Sequence, residues 1–150
     1  MDSDSRTLKR DDGRGEDRGF VLPRMLLPIP IVCFAAALLA DVGYADTALI
    51  PWLDFSNWLI LAGLLAGAAA AILLLIDFVR SRRVRGSARA RAHLLFFYAA
   101  LLVELFNMFV HDRDGWTAVV PTGFTLSVIG LVLALIAGWL SRPKLVESTP

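Results

Sequence analysis

The sequence predicts an all-α membrane protein, a four-helix transmembrane bundle with its N-terminus and C-terminus in the cytoplasm. Three observations carry this. Hydrophobic residues make up 57% of the 150-residue chain, and the mean hydropathy of +0.62 is too high for a water-facing surface. Four apolar stretches each reach the roughly 20 residues that a helix needs to cross a hydrocarbon core about 30 Å thick. The basic residues gather in three places, all of which fall on one side if the stretches run antiparallel.

The spans fall at about 25–44, 58–76, 94–110 and 119–140, inside a transmembrane domain of residues 23–141. A charged tail of residues 1–22 precedes it, with acids and bases interleaved and almost no apolar material, a composition that favours disorder. A short polar tail, 142–150, follows. The first span has a competing reading as a signal peptide, because Gly43 and Ala45 loosely mimic the small residues before a cleavage site. Its length, its long charged leader and the interruption by Pro28 and Pro30 favour a span that stays. Both prolines read as an entry bend where their missing N–H groups would have no partner anyway.

Arg6, Lys9, Arg10, Arg14, Arg18 and Arg24 precede the first span, and Arg142 and Lys144 follow the fourth. Arg80, Arg82, Arg83, Arg85, Arg89 and Arg91 lie between the second and third. The first outer loop has only acids, Asp46 and Asp54, and the second has Arg113 between Asp112 and Asp114. Since cytoplasmic flanks collect Lys and Arg, both termini and the middle loop are expected inside. Trp52, Phe55, Trp58 and Trp116 around the outer loops suit the headgroup level. The six arginines of the middle loop read first as topology determinants in contact with lipid headgroups. They lack the interleaved aromatic residues and the fold of a nucleic-acid site, so nucleic acid is not an expected partner.

The second span offers Gly63-xxx-Gly67 continued by Ala71, and the fourth offers Gly123, Ser127, Gly130, Ala134 and Ala137 to Gly138. In lipid, helices associate by close backbone approach, so Gly63, Gly67 and Gly130 are expected packing positions or a homodimer contact.

The third span is different. At roughly 100° per residue, His93, Ala100, Glu104, Asn107 and His111 lie within about 40° of one line. A carboxyl near mid-span has to face the bundle, protonated or hydrogen-bonded, and Asn107 is its nearest candidate partner. Glu104, Asn107, His93, His111 and Asp41 therefore form a candidate intramembrane polar site, either a proton or ligand site or a hydrogen-bonded packing device. Asp41 and Arg113 approach the same side and form a candidate ion pair. The two histidines stand about 27 Å apart by helix rise, so they cannot grip one haem between them. A His/Met haem would need Met25 or Met108. No cofactor is expected, with haem or quinone kept as a lesser alternative, and no metal-ligand spacing appears. The single Cys33, in an apolar run, reads as a small hydrophobe.

The chain resembles a family of predicted bacterial membrane proteins catalogued as domain of unknown function 2231. The likeness spans about residues 23–141. It is carried by Leu27-Pro28-Ile29-Pro30-Ile31 with Leu38-Leu39-Ala40-Asp41, by Leu75-Ile76-Asp77-Phe78, and by His93, Asn107 and Arg113. Leu126-Ser127, Gly130 and Gly138-Trp139-Leu140 complete it. The resemblance implies a multi-pass protein of the bacterial inner membrane with four spans and no established activity. Some relatives look fused or linked to redox proteins, which implies electron transfer as one direction. Where the family usually opens its first motif with His-Pro, this chain has Pro23-Arg24.

No nucleotide loop, nucleophile with base, metal-ligand set or sizeable soluble domain appears, and the outer loops are too short for an exposed catalytic site. The sequence therefore favours a non-enzymatic scaffold, subunit or partner of another membrane system, acting in the lipid bilayer with a membrane-protein partner or as a homo-oligomer. The alternative is a small transporter or a proton-coupled redox component.

Overall fold

A computed structural model describes residues 25–113 and 119–142. The expected tails, Pro23, Arg24, Lys144 and the proposed anchor Trp116 lie outside the described residues. The helices are α1 (Pro28–Thr47), α2 (Ile50–Arg80), a single-turn α3 (Arg82–Gly86), α4 (Ala88–His111) and α5 (Phe124–Ser141). A π-helical turn, Val119–Gly123, leads into α5, with Val120 extended and a cis Val120–Pro121 bond. Four helices are long and apolar enough to cross a membrane: α1, α2, α4, and α5 together with its π turn.

Local sequence accounts for the boundaries. Prolines stand in the first turns of α1 and α2, where their fixed φ suits the helix and the missing N–H removes no bond. Ser81 and Ser87 cap α3 and α4, their Oγ atoms accepting from Val84 N and Ala90 N at 3.3 Å each. α1 ends at Ala48, which takes a left-handed conformation with φ 54° and donates its N–H to Tyr44 O at 2.8 Å. The chain then re-enters a helix almost at once.

The expected first outer loop is accordingly almost absent. Trp52 and Phe55 belong to α2, which has 31 residues where a span of 58–76 was expected. At about 1.5 Å per residue it measures about 46 Å and outruns a hydrocarbon core of about 30 Å. Charge and aromatic content set the expected limits, but neither Asp54 nor Asn57 stops a helix outside the membrane. Trp52, though exposed, lies against α1: a Cβ on Gly43 would lie 2.9 Å from its ring.

α1 packs on α2 and α4 on α5, and the pairs meet through α1 with α5 and α2 with α4. The four spans thus stand around a square in the order α1, α2, α4, α5. Buried positions alternate steps of four and three, as in Ser56, Ile60, Gly63, Gly67, Ala70 and Leu74 on α2 and His93, Phe97, Ala100, Glu104, Asn107 and His111 on α4. That is the repeat of helices meeting side chain into hole along a shallow crossing. The interior mixes small and polar side chains with a few large apolar ones such as Phe34, Ile60 and Phe97, while many large aliphatic ones point out: Glu104 is 0% exposed and Leu95 69%. This inversion suits a surface bathed in lipid.

The glycines sit at the seams. A Cβ on Gly63 would lie 2.5 Å from Phe34 Cε1 of α1, one on Gly67 would strike Leu101 of α4, and one on Gly130 would strike the Glu104 carboxyl.

Candidate polar site in the bundle

Asp41, in the last half of α1, faces the centre at 1% exposure because it continues the buried line Phe34, Ala37 and Asp41. Three spans bring donors to it. Ser56 of α2 donates its O–H to Oδ1 at 2.5 Å, and Ser127 of α5 donates to Oδ2 at 2.5 Å. His111, the last residue of α4, places Nε2 2.9 Å from Oδ1. One carboxyl therefore ties all four spans together.

A second layer lies deeper. Asn107 donates from Nδ2 to Ser127 Oγ at 2.8 Å and to Glu104 Oε2 at 3.1 Å. His111 Nδ1 lies 3.0 Å from Asn107 O, and a carbonyl only accepts, so Nδ1 carries a hydrogen. Its other nitrogen faces a carboxyl oxygen. One further proton must sit in the Asp41–His111 contact, on Nε2 as an ion pair or on Oδ1 as a neutral one. Glu104 Oε1 and Asn107 Oδ1 are buried without a hydrogen-bond partner.

Four of the five expected polar-site residues, Asp41, Glu104, Asn107 and His111, meet here. His93 does not. It lies near the opposite end of the bundle, its Nδ1 donating to Ala137 O at 2.8 Å and its ring stacked 6.1 Å from that of Phe97. Between it and Glu104 the core is apolar, with Phe34, Phe97, Ala100 and Ala134.

The expected Asp41–Arg113 pair does not form. Arg113 is exposed beyond the end of α4, whereas Asp41 is buried with both oxygens occupied. The place beside Asp41 belongs to His111, which the helix presents inward two residues earlier. Ser56 and Ser127 were missed as members of the site. Ser127 had been read only as a small packing residue, and Ser56 lay in the supposed loop.

Two arginines of the middle loop make contacts within the protein. Arg89 donates from Nε to Leu140 O at 2.9 Å and from Nη2 to Trp139 O at 3.3 Å, and Arg85 donates from Nη1 to Val79 O at 2.9 Å. Both reach carbonyls in the last turn of a helix, where the backbone lacks intrahelical donors for all of them, and Trp139 O also accepts from Arg142 N at 3.3 Å. Arg80, Arg82 and Arg91 are exposed.

Fold and site together define a four-span helical membrane protein closed by a buried polar clasp. The chain belongs to the family described as Predicted membrane protein (DUF2231), which it matches over residues 23–143. No curated protein and no solved structure matches it. Asp41, Asn107, Ser127 and Gly130, which helped carry the resemblance to that family, converge on the one site.

Proposed function

We propose that the protein is a non-enzymatic membrane module, a scaffold or subunit for another membrane system. It would reside in the bacterial inner membrane with both termini and the basic loop in the cytoplasm. The observation that supports this best is the Asp41 carboxyl, whose bonds to Ser56, His111 and Ser127 commit both of its oxygens to holding the four spans together. The polar groups turn inward and the exterior is left apolar, for lipid or for the helices of a partner. Purification in mild detergent tests it: one stoichiometric membrane partner, or a stable homo-oligomer, is expected. A monodisperse monomer with no partner under several mild detergents counts against it. Reporter fusions after Arg85 and after Trp116 test the orientation, with the first expected inside and the second outside.

A second reading, a proton-coupled transport or redox component, is favoured by two buried acceptor oxygens of the site without donors among the described residues, Glu104 Oε1 and Asn107 Oδ1. Glu104→Gln and Glu104→Leu separate the readings. A packing role tolerates Gln, while a proton role loses activity with Gln in a protein that still folds. A visible spectrum of the purified protein tests for haem, and an absorption band there would move the proposal toward electron transfer.

A further inference from the structure

Ser56, Ser127 and His111 all turn toward Asp41. A carboxylate oxygen accepts, so Ser127 donates to Asp41 and has its lone pairs left for Asn107. Nδ2 must therefore face Ser127, and its second hydrogen reaches Glu104 Oε2. This ordering satisfies Asp41 and leaves Glu104 as the carboxyl of the cluster whose second oxygen has no donor among the described residues. Glu104 has 0% exposure, and Gly130 makes room for its carboxyl, since any Cβ there would overlap it. A bare carboxylate in that position is costly, and a proton is the smallest group that relieves it.

The surroundings are asymmetric. From Glu104 toward one end of the bundle run Asn107, Ser127, Asp41 and His111, and then the exposed Asp112, which accepts from Asn57 at 3.0 Å. Toward the basic-loop end, eleven positions of α4 separate Glu104 from His93, about 16 Å of helix rise. The core there is filled by Phe34, Ala100 and Ala134 and then by Phe97 and Ala137. We propose that Glu104 is a reversible proton-binding site that exchanges with the Asp112 end of the bundle and is closed toward the basic-loop end.

Uptake of one proton from water at that end turns the Glu104 carboxylate into a carboxylic acid, and release reverses it, with no co-reactant. The groups facing the site are few. α1 supplies Asp41, with buried Tyr44 near it, and α4 itself supplies His111. α2 supplies Ser56, while its acids Asp54 and Asp77 lie toward its two ends. α5 carries no ionisable side chain in its span, only Ser127 and Gly130. Asn107 bonds both to Glu104 and, through Ser127, to Asp41, so the charge on Glu104 is coupled to the proton shared by Asp41 and His111.

The inference adds a site and a direction of access to the second reading above, and the two fail separately. Absence of pH-driven flux in vesicles removes transport and leaves the site intact. The site itself is tested on the full chain, reconstituted in one orientation in sealed vesicles, by the infrared C=O stretch of protonated carboxyl. A pH step on the Asp112 face is expected to change a band that Glu104→Gln abolishes, and the same step on the other face is expected to leave it unchanged while the gradient lasts. His111→Gln keeps a donor for Asp41 but removes the charge, and it is expected to displace the midpoint by about one pH unit or more.

If Glu104→Gln fails to fold, carboxyl-¹³C glutamate in the wild type serves instead, because the chain has only Glu16 and Glu147 besides Glu104. A Glu104 signal unchanged by pH removes the site, and a response from both faces or from the basic-loop face alone removes the direction. A midpoint untouched by His111→Gln removes the coupling. A midpoint that follows sodium when sodium replaces potassium assigns the oxygens to a metal cation and overturns the proton site.

Discussion

Ser127 Oγ on α5 donates to Asp41 Oδ2 on α1 at 2.5 Å, and this bond closes the square of four spans at a point where one side chain bonds to the other three helices. The contact is made between two helices that are separated by 86 positions of chain. It holds together two hairpins, α1 with α2 and α4 with α5, that would otherwise meet mainly through small and apolar side chains.

Asp41→Ala is therefore expected to loosen the whole bundle. Hydrogen bonds between membrane helices average about 0.6 kcal/mol and reach about 1.7. Three lost together, with their donors left buried, amount to about 2–4 kcal/mol. Unfolding in mixed micelles of mild and denaturing detergent measures this. Ser56→Ala removes one donor to Asp41 and is expected to cost about 1 kcal/mol or less, whereas Ser127→Ala also removes the acceptor of Asn107 Nδ2 and is expected to cost about 1–2 kcal/mol. An Asp41→Ala variant as stable as wild type would show that the clasp is idle.

Gly130 and Glu104 are matched across the α4–α5 seam. Gly130→Ala places a methyl group where the carboxyl lies, and overpacking of this kind costs about 1–3 kcal/mol. In a Glu104→Ala background the space is open and the same change is expected to be nearly neutral. A double-mutant cycle reads the difference as a coupling of about 1 kcal/mol or more. Additive effects would mean that the carboxyl does not occupy the glycine's groove.

Gly63 and Gly67 look alike in sequence but should respond differently. A methyl on Gly63 meets the ring of Phe34 at 2.5 Å and Cys33 Cβ at 3.1 Å, both held by α1. A methyl on Gly67 meets the far end of Leu101, which can turn aside. Gly63→Ala is thus expected to destabilise by about 1–3 kcal/mol and Gly67→Ala by about 1 kcal/mol or less. The same detergent titration decides, and equal losses would refute the distinction.

What the sequence discloses of this fold and site divides along physical lines. The four spans followed from length and hydropathy, because lipid leaves a helix few alternatives. The polar face of α4 was visible because a period of about 3.6 lines up residues on one element. What joins one element to another was not. Nothing local says that His111 and not Arg113 turns toward Asp41, since two residues of helix change the direction of a side chain by about half a turn. Ser56 was hidden by a misplaced helix start, and Ser127 by chemistry that suits packing as well as hydrogen bonding. His93 shares its helix face with Glu104, but face says nothing of depth, and apolar layers part them.

Arg89 poses the same problem at the basic-loop end, where charge alone suggested only headgroups. Its guanidinium donates to Leu140 O and Trp139 O, so it closes the C-terminus of α5 by both hydrogen bonding and charge. Arg89→Ala is expected to cost about 0.5–1.5 kcal/mol and to speed amide exchange in the last turn of α5. Arg89→Lys should recover only part, because an ammonium lacks the planar fork that spans two carbonyls. Arg91→Ala, at an exposed position, is expected to stay within about 0.5 kcal/mol of wild type. Lipid composition separates capping from headgroup binding. A cap keeps its effect in uncharged lipid, whereas a headgroup contact loses it there and responds to anionic lipid and salt. If the Arg89→Ala effect vanished in uncharged bilayers, Arg89 would rank with Arg91 as a surface charge and the end of α5 would depend on other donors.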